Sequence, residues 1–278
     1  MPSPLPALIA RHTPAPIKRF VHHSPFFDRL AMRVYGGMLR RSSVTIQDGP
    51  LRGMKLSASR HTSHAHIRGT YERPVQDAIE KMVRPGDICY DLGASIGYMT
   101  LVMARKARHV YAFEPAPHAV AELARQIQAN NLSNVSVIAS PVSNDVRQVP
   151  FCLTDAAYGS AINYNESRWP ILPLETITLD DFAARHPVPD FIKIDVEGEE
   201  HMVLEGARGI LSQRKPSICC EIHSSEAARE VLAILRAIGY NVTLLNGAPF
   251  EHPSEVIPGE FHIIASAPAL SRAAASGR

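Results

Sequence analysis

Cysteine is scarce in this chain, long apolar runs are missing, and neither sign of charge prevails. The 278 residues hold four cysteines. Cys89 and Cys152 stand far apart, Cys219 and Cys220 are neighbours in an apolar run, and no Cys-x-x-Cys pair occurs. A disulfide scaffold and a thiolate zinc site are thereby excluded, and the thiols read as those of a reducing compartment. No apolar stretch approaches the ~20 residues that span a bilayer. The run Leu5 to Ala10 is shorter than the ~7–15 apolar residues at the heart of a secretion signal, so the chain is expected in the cytoplasm. Basic residues number 29 and acidic ones 27, a formal net charge of +2. That balance gives no general field for gripping nucleic acid, and no nucleic-acid partner is expected. Aromatics are sparse at 6%, yet 45% hydrophobic residues suit a chain with a sizeable core and exclude a disordered one.

What is present is a rhythm. Residues 1–25 are proline-rich and read as a flexible leader. Residues 26–84 read as an N-terminal appendage. Within it, a basic amphipathic helix over 26–41 carries Phe27, Leu30, Ala31, Val34 and Met38 on one side, to pack on the main domain or offer a peripheral membrane contact. A hairpin from Val44 to Leu56 turns at Asp48-Gly49-Pro50, and a short helix covers Pro74 to Met82. From Pro85 short apolar runs alternate with amphipathic helices: strands at Ile88–Leu92, His109–Phe113, Val135–Ala139, Phe191–Val196 and Ser217–Ile222, and helices at 98–107, 117–130, 179–184 and 199–211. Residues 141–179 interrupt this pattern with a β-hairpin, Val149–Leu153 pairing with Ala161–Tyr164. A helix from Glu226 to Ile238, capped by Ser225 and stopped by Gly239, leads to strands Tyr240–Leu245 and Phe261–Ser266. Residues 85–267 are thus expected to form one α/β domain on a mostly parallel, doubly wound sheet, with residues 268–278 a disordered tail.

Asp91-Leu92-Gly93-Ala94-Ser95-Ile96-Gly97 follows a strand and opens a helix. Glycines there allow a sharp turn and close approach of a ligand, and Glu114 ends the next strand 23 residues after Asp91, the spacing of a carboxylate that grips ribose hydroxyls. The loop reads Gly-x-x-x-Gly and lacks the middle glycine that admits a pyrophosphate, which argues against a nicotinamide oxidoreductase. An adenosyl ligand without phosphates fits better: S-adenosylmethionine, its amino group meeting Asp91. Gly93, Ala94, Ser95 and Gly97 are the loop candidates, with Ser143 a further candidate for cofactor contact.

The second constellation is Asp190 to Glu200. Lys193, Asp195 and Glu197 alternate onto one side of their strand, as Cys219, Glu221 and His223 do on the next. A central strand should read as nearly continuous apolar sequence, so ionisable groups there must pair or work. A Lys193–Glu221 ion pair is the expected structural link. Asp195 and Glu197 sit where ligand crevices of open sheets lie, and are the first candidates for a base, with His223 the alternative. Glu199 and Glu200 read as acids complementing a helix dipole and are left out of the chemistry. His61, His64 and His66 read as scattered surface histidines. No metal is demanded by the spacing.

Taken together, Tyr90-Asp91-Leu92-Gly93-Ala94-Ser95-Ile96-Gly97-Tyr98, Phe113-Glu114-Pro115, Ile192-Lys193-Ile194-Asp195-Val196-Glu197-Gly198 and Leu204-Glu205-Gly206-Ala207 resemble the FkbM-type family of S-adenosylmethionine-dependent methyltransferases. Gly69-Thr70-Tyr71-Glu72 and Leu179-Asp180-Asp181-Phe182 share the likeness, which covers about 69–223. Ser95 departs from the asparagine usual in the family. The resemblance implies a class I fold of about seven strands with an antiparallel hairpin at its end. It also implies methyl transfer to a hydroxyl of a small molecule, sugar or lipid-linked acceptor, with Tyr71 and Glu72 closing over the cofactor. The competing readings are a methyltransferase acting on nucleic acid, against which stands the lack of an Asn/Asp-Pro-Pro-aromatic motif, and an inactive cofactor-binding module.

Overall fold

The computed structural model describes residues 43–59, 61–153, 169–251 and 261–267. The expected leader, the helix over 26–41, the strand over 161–164 and the tail lie outside the described residues. Two short strands, β1 (Ser43–Thr45) and β2 (Lys55–Ser57), pair antiparallel as the expected hairpin. Helices α1 (His64–Arg68) and α2 (Arg73–Met82) lead to the main sheet. There β3 (Ile88–Leu92), α3 (Tyr98–Ala104), β4 (His109–Phe113), α4 (Pro117–Ala129) and β5 (Val135–Ile138) alternate. After a hairpin of β6 (Gln148–Cys152) and β7 (Ile171–Glu175) come α5 (Leu179–Ala183), β8 (Phe191–Ile194), α6 (Glu200–Glu205), α7 (Arg208–Gln213) and β9 (Ser217–Ile222). Helix α8 (Ser225–Ala237), β10 (Asn241–Leu244) and β11 (Phe261–Ser266) follow.

Seven strands form one sheet in the order β10-β11-β9-β8-β3-β4-β5. β5, β4, β3, β8 and β9 pair in parallel, and β11 runs antiparallel to both β9 and β10. This is the doubly wound sheet the alternation predicts. Its order reverses between β3 and β8, so the ligand crevice of such a sheet opens at their carboxyl ends.

Side-chain alternation divides the central strands between two cores. Ile88, Tyr90 and Leu92 of β3, Ile192 and Ile194 of β8, and Ile218, Cys220 and Ile222 of β9 face one cluster with α6, α7 and α8. Cys89, Phe191 and Cys219 face the other, with Val75 and Ile79 of α2, Leu101 and Val102 of α3, and Ile46, Leu51 and Leu56 from the N-terminal hairpin. Each large aliphatic side chain so buried contributes about 1.5–3 kcal/mol over leaving it in water. Asp91, Lys193 and Glu221 share the second face by parity. Its apolar packing gives way to charge as the strands reach the crevice.

Four expectations are corrected. The partner of β6 is Ile171–Glu175, with Pro150 opposite Pro173 in the register; prolines in both strands obscure the pattern, since proline donates no ladder hydrogen bond. The helix expected over 199–211 breaks at Gly206-Ala207, where the Gly206 carbonyl accepts the Asp180 N–H at 2.9 Å and the Asp180 carboxylate takes the Gly209 and Ile210 N–H groups at the start of α7. Ser224, not Ser225, caps α8, its Oγ accepting from the Ala227 N–H at 3.0 Å. His66 is buried rather than a surface residue, wedged between Tyr71 and Tyr98.

Candidate active site

At the end of β3 the backbone does the positioning. Gly93 (φ +72°) and Gly97 (φ +88°) adopt left-handed conformations, and a Cβ on Gly93 would stand 1.7 Å from the Asp195 carbonyl oxygen. Only glycine lets the loop lie this close to the end of β8. Ser95 also takes a positive φ of 49°, a conformation asparagine tolerates better than most residues. The Gly93 and Ala94 N–H groups both donate to the Phe113 carbonyl at 3.0 Å. Glu114 receives the Ser95 and Ala116 N–H groups, each at 2.8 Å. Burial nevertheless pushes its carboxyl up to about 7, against those two hydrogen bonds and the charge of Lys193. Asp91 is fully buried; Thr100 donates to its Oδ2 at 2.5 Å, while Oδ1 has no hydrogen-bond partner. Burial pushes the Asp91 carboxyl up, opposed by Lys193 and Thr100.

At the ends of β8 and β9 side chains hold one another. The register sets Lys193 opposite Asp91 on one side and Cys219 on the other, so Lys193 does not meet Glu221. The expected Lys193–Glu221 pair is replaced by Lys193 Nζ to Asp195 Oδ2 at 2.8 Å and to Asp91 Oδ1 at 3.9 Å. Glu221 lies across from His262 of β11 instead, at 3.2 Å. Burial draws the Lys193 ammonium down, but Asp195 and Asp91 more than compensate and keep it charged. Burial likewise pushes Asp195 up, and Lys193 carries it below the ordinary carboxylate range. β8 ends at Ile194, so Asp195 and Glu197 stand on the loop beyond it. The Asp195 N–H still bonds the Leu92 carbonyl at 3.1 Å, and Glu197 turns through φ 57°.

His223, just past β9, gathers three carboxylates. Its Nδ1 lies 2.7 Å from Glu200 Oε1, and its Nε2 is 3.7 Å from both Asp195 Oδ1 and Glu197 Oε2. Burial lowers the imidazole, but Glu200 first, then Asp195 and Glu197, raise it to about 9. Side-chain exposure of 12% for His223, 22% for Asp195 and 30% for Glu197 leaves these groups open to the crevice. Donor atoms of Asp195, Glu197 and His223 come within 4.8 Å of one another, as do those of Glu72, Glu221 and His262.

The structure thus brings together Asp91, Gly93, Lys193, Asp195, Glu197 and His223, with Ala94, Ser95, Gly97 and Glu114 along the adjoining loop. Glu72, in a left-handed conformation at the N-terminus of α2, is charge-coupled to Lys193, Glu221 and Asp195, and burial pushes its carboxyl up. Tyr71 stacks on His66 at 4.0 Å between ring centroids. The contacts of Ser143 run to Ile177, Asn144 and the backbone at Gly206, none of them a cofactor candidate. Sequence reasoning missed Glu200: the acid assigned to the helix dipole is fully buried and holds both His223 and the Gly198 N–H, the latter at 2.8 Å. Glu199 beside it is buried as well, so neither acid is the exposed dipole partner the sequence suggested.

The family model for the methyltransferase FkbM domain matches residues 91–242. The chain belongs to the FkbM methyltransferase family. Three curated relatives are similar to this family member at low identity. The tRNA wybutosine-synthesizing protein 2 homolog of Danio rerio is 27% identical over 87% of this chain and 64% of its own length. The hexuronic acid methyltransferase AglP of Haloferax volcanii is 27% identical over 63% and 74%. The 31-O-demethyl-FK506 methyltransferase FkbM of Streptomyces tacrolimicus is 28% identical over 58% and 75%. Across the first two curated relatives it matches, the chain spans only 36% and 64% of their lengths. The sheet order is that of the class I fold, and the family's methyl donor is S-adenosylmethionine. The residues of this FkbM-family chain fit that donor. Asp91 offers an ammonium a buried oxygen that has no hydrogen bond and lies 3.9 Å from Lys193 Nζ, Glu114 a fixed carboxylate for ribose hydroxyls, and the glycine loop a cradle that a Cβ would fill.

Proposed function

We propose that this FkbM-family chain transfers a methyl group to a hydroxyl oxygen of a small-molecule, sugar or lipid-linked acceptor. The observation that carries the reading is the contact between its two constellations: the Gly93 loop lies against the Asp195 backbone, so the carboxylate–imidazole group adjoins the cofactor cradle. Bound S-adenosylmethionine supplies an electrophilic methyl group. Asp91 and Glu114 orient it, and positioning of the acceptor oxygen in line supplies much of the rate. An alcohol is a poor nucleophile and needs its proton removed as the bond forms. At neutral pH His223 already holds a proton, whereas Asp195 is ionised, so Asp195 and Glu197 are the groups that accept it. Lys193 keeps Asp195 charged and aimed, and Glu200 orients His223. Tyr71 and Glu72 cover the crevice beside them. The two relatives named for hexuronic acid and 31-O-demethyl-FK506 methylation support an oxygen acceptor. Four buried free thiols agree with a reducing cytoplasmic setting, and no helix among the described residues is long and apolar enough to cross a membrane.

The tRNA-modifying relative favours a second reading, with RNA as acceptor. One experiment separates the two: incubation of the purified protein with methyl-labelled S-adenosylmethionine and host extract fractionated into lipids, polysaccharides, small molecules and nucleic acids. Label in a lipid, carbohydrate or small-molecule fraction, stable as an ether, is the expected result. Label confined to nucleic acid would replace the hydroxyl reading, and no label together with no binding of S-adenosylhomocysteine would mark an inactive module.

A further inference from the structure

We propose that Asp195, Glu197 and His223 bind one divalent transition-metal ion at the acceptor end of the crevice, a site that rests on the methyltransferase reading above. The three residues come from two strand ends and a loop, and one imidazole nitrogen and two carboxylate oxygens converge within 4.8 Å. Donors around a single ion at bonds of about 2.0–2.2 Å stand roughly 3 Å apart. The 3.7 Å separations from His223 Nε2 therefore need close by less than an ångström.

Two further features point to a cation and lie outside the donor set. Glu200, fully buried, accepts the Nδ1 proton of His223 at 2.7 Å, so Nε2 is the nitrogen turned toward Asp195 and Glu197, and an ion bound there would replace the proton that His223 carries at neutral pH. This carboxylate–histidine pairing is how metal-binding imidazoles are oriented. The second Glu200 oxygen, Oε2, is buried with no hydrogen-bond partner. In the free protein the proton on His223 offsets its charge, and an ion at Nε2 would take over that role. Lys193 is held elsewhere. Its ammonium is engaged by Asp195 Oδ2 and Asp91, which leaves Asp195 Oδ1 as the oxygen facing His223. Glu72 and Glu221 add negative charge at the same crevice.

The donor chemistry selects the ion. An imidazole with two carboxylates suits Mn²⁺, Fe²⁺, Co²⁺ or Zn²⁺ better than Ca²⁺ or Mg²⁺, which prefer oxygen donors. There the ion would bind the acceptor oxygen and lower its pKa, so that its proton leaves to water as the carbon–oxygen bond forms and the sulfonium carbon–sulfur bond of the donor breaks.

The test is a titration of the full chain with Mn²⁺ alone, read as loss of the free-ion electron paramagnetic resonance signal, with spin-echo modulation reporting a bonded imidazole nitrogen. We expect one ion per chain below millimolar concentration, with nitrogen modulation. His223→Ala and Glu197→Gln should each weaken binding more than about tenfold, and Glu200→Gln by about 10–100-fold without touching a ligand. No binding by the wild-type chain at 1 mM (about the weak end for such sites) would overturn the site. So would binding that persists in His223→Ala, or that is lost only in His262→Ala, which would move it to the Glu72–Glu221–His262 group. Calorimetry with S-adenosylhomocysteine on the same preparation reads the cofactor cradle separately, so failure of the methyltransferase reading shows there and failure of the metal site does not.

Discussion

At the end of β3 the groups that face a ligand are fixed by main chain: two glycines in left-handed conformations, two N–H groups on Glu114, and a loop laid against the Asp195 backbone. At the ends of β8 and β9 the groups are fixed by one another, Lys193 by Asp195 and His223 by Glu200. Backbone geometry is stiff, and a defect in it propagates into folding. The pairing of His223 with Glu200 can be altered with the fold intact, and its defects appear in chemistry, whereas the Lys193 ammonium is buried and its loss reaches the fold. One half of the crevice is therefore suited to grip a constant cofactor, and the other to be tuned to an acceptor.

The largest effect that would break this comparison comes from glycine. Gly93→Ala should lower stability by about 3 kcal/mol or more and abolish cofactor binding, because its Cβ meets a carbonyl 1.7 Å away in a strained φ. Gly198→Ala, at φ +103° with open space around it, should cost only the backbone strain, about 1–3 kcal/mol, and leave cofactor binding in place. Thermal unfolding with calorimetric titration checks both. If the two variants behave alike, the loop is not the rigid half.

An effect on stability of similar size comes from Lys193→Met. It leaves the fully buried Asp91 and the half-buried Asp195 without their shared cation and should cost about 3–5 kcal/mol, so the variant is expected to fold only marginally. A stable variant would show that the two carboxylates accommodate each other by sharing a proton.

Glu200→Gln sharpens the contrast at intermediate size. Calorimetry should find cofactor affinity unchanged, while turnover falls about 10–100-fold as His223 loses its orientation. Equal losses in binding and turnover would argue that α6 is merely misfolded.

The smallest effect is in pH. The Glu114 carboxyl sits at about 7 in the free protein, and a ligand donating hydroxyls to its ionised form lowers it. Cofactor affinity should thus be full above pH 7 and decline as pH falls below it, with proton release on binding near pH 6.5. Titrations in buffers of different ionisation enthalpy measure that proton directly.

Much of the fold can be read from the sequence, since β3, β4, β9 and β11 have the bounds their apolar runs predict. β7 is hidden because Pro173 interrupts it opposite Pro150, and the helix after β8 is divided at Gly206, where Asp180 from another element takes the backbone groups on either side of the break. The cofactor half of the site is legible for the same reason it is rigid: glycines, a strand-end acid and fixed spacing lie within one βαβ unit. In the other half, parity places Lys193 and Glu221 on one face of their strands, but partners depend on register. The register sets Lys193 opposite Cys219, two residues short of Glu221, so the expected Lys193–Glu221 pair gives way to Lys193 with Asp195 and Asp91 and to Glu221 with His262. Glu200 escaped for a related reason: its partner is 23 residues away on another element.

The division of labour between the two halves is tested most directly by titrating S-adenosylhomocysteine into the wild-type chain, Asp91→Asn and Glu197→Gln. The account predicts one molecule bound per wild-type chain, at least about tenfold weaker binding for Asp91→Asn, equivalent to about 1.4 kcal/mol, and affinity within about twofold of wild type for Glu197→Gln. No binding by the wild type, or an equal loss in both variants, would contradict it.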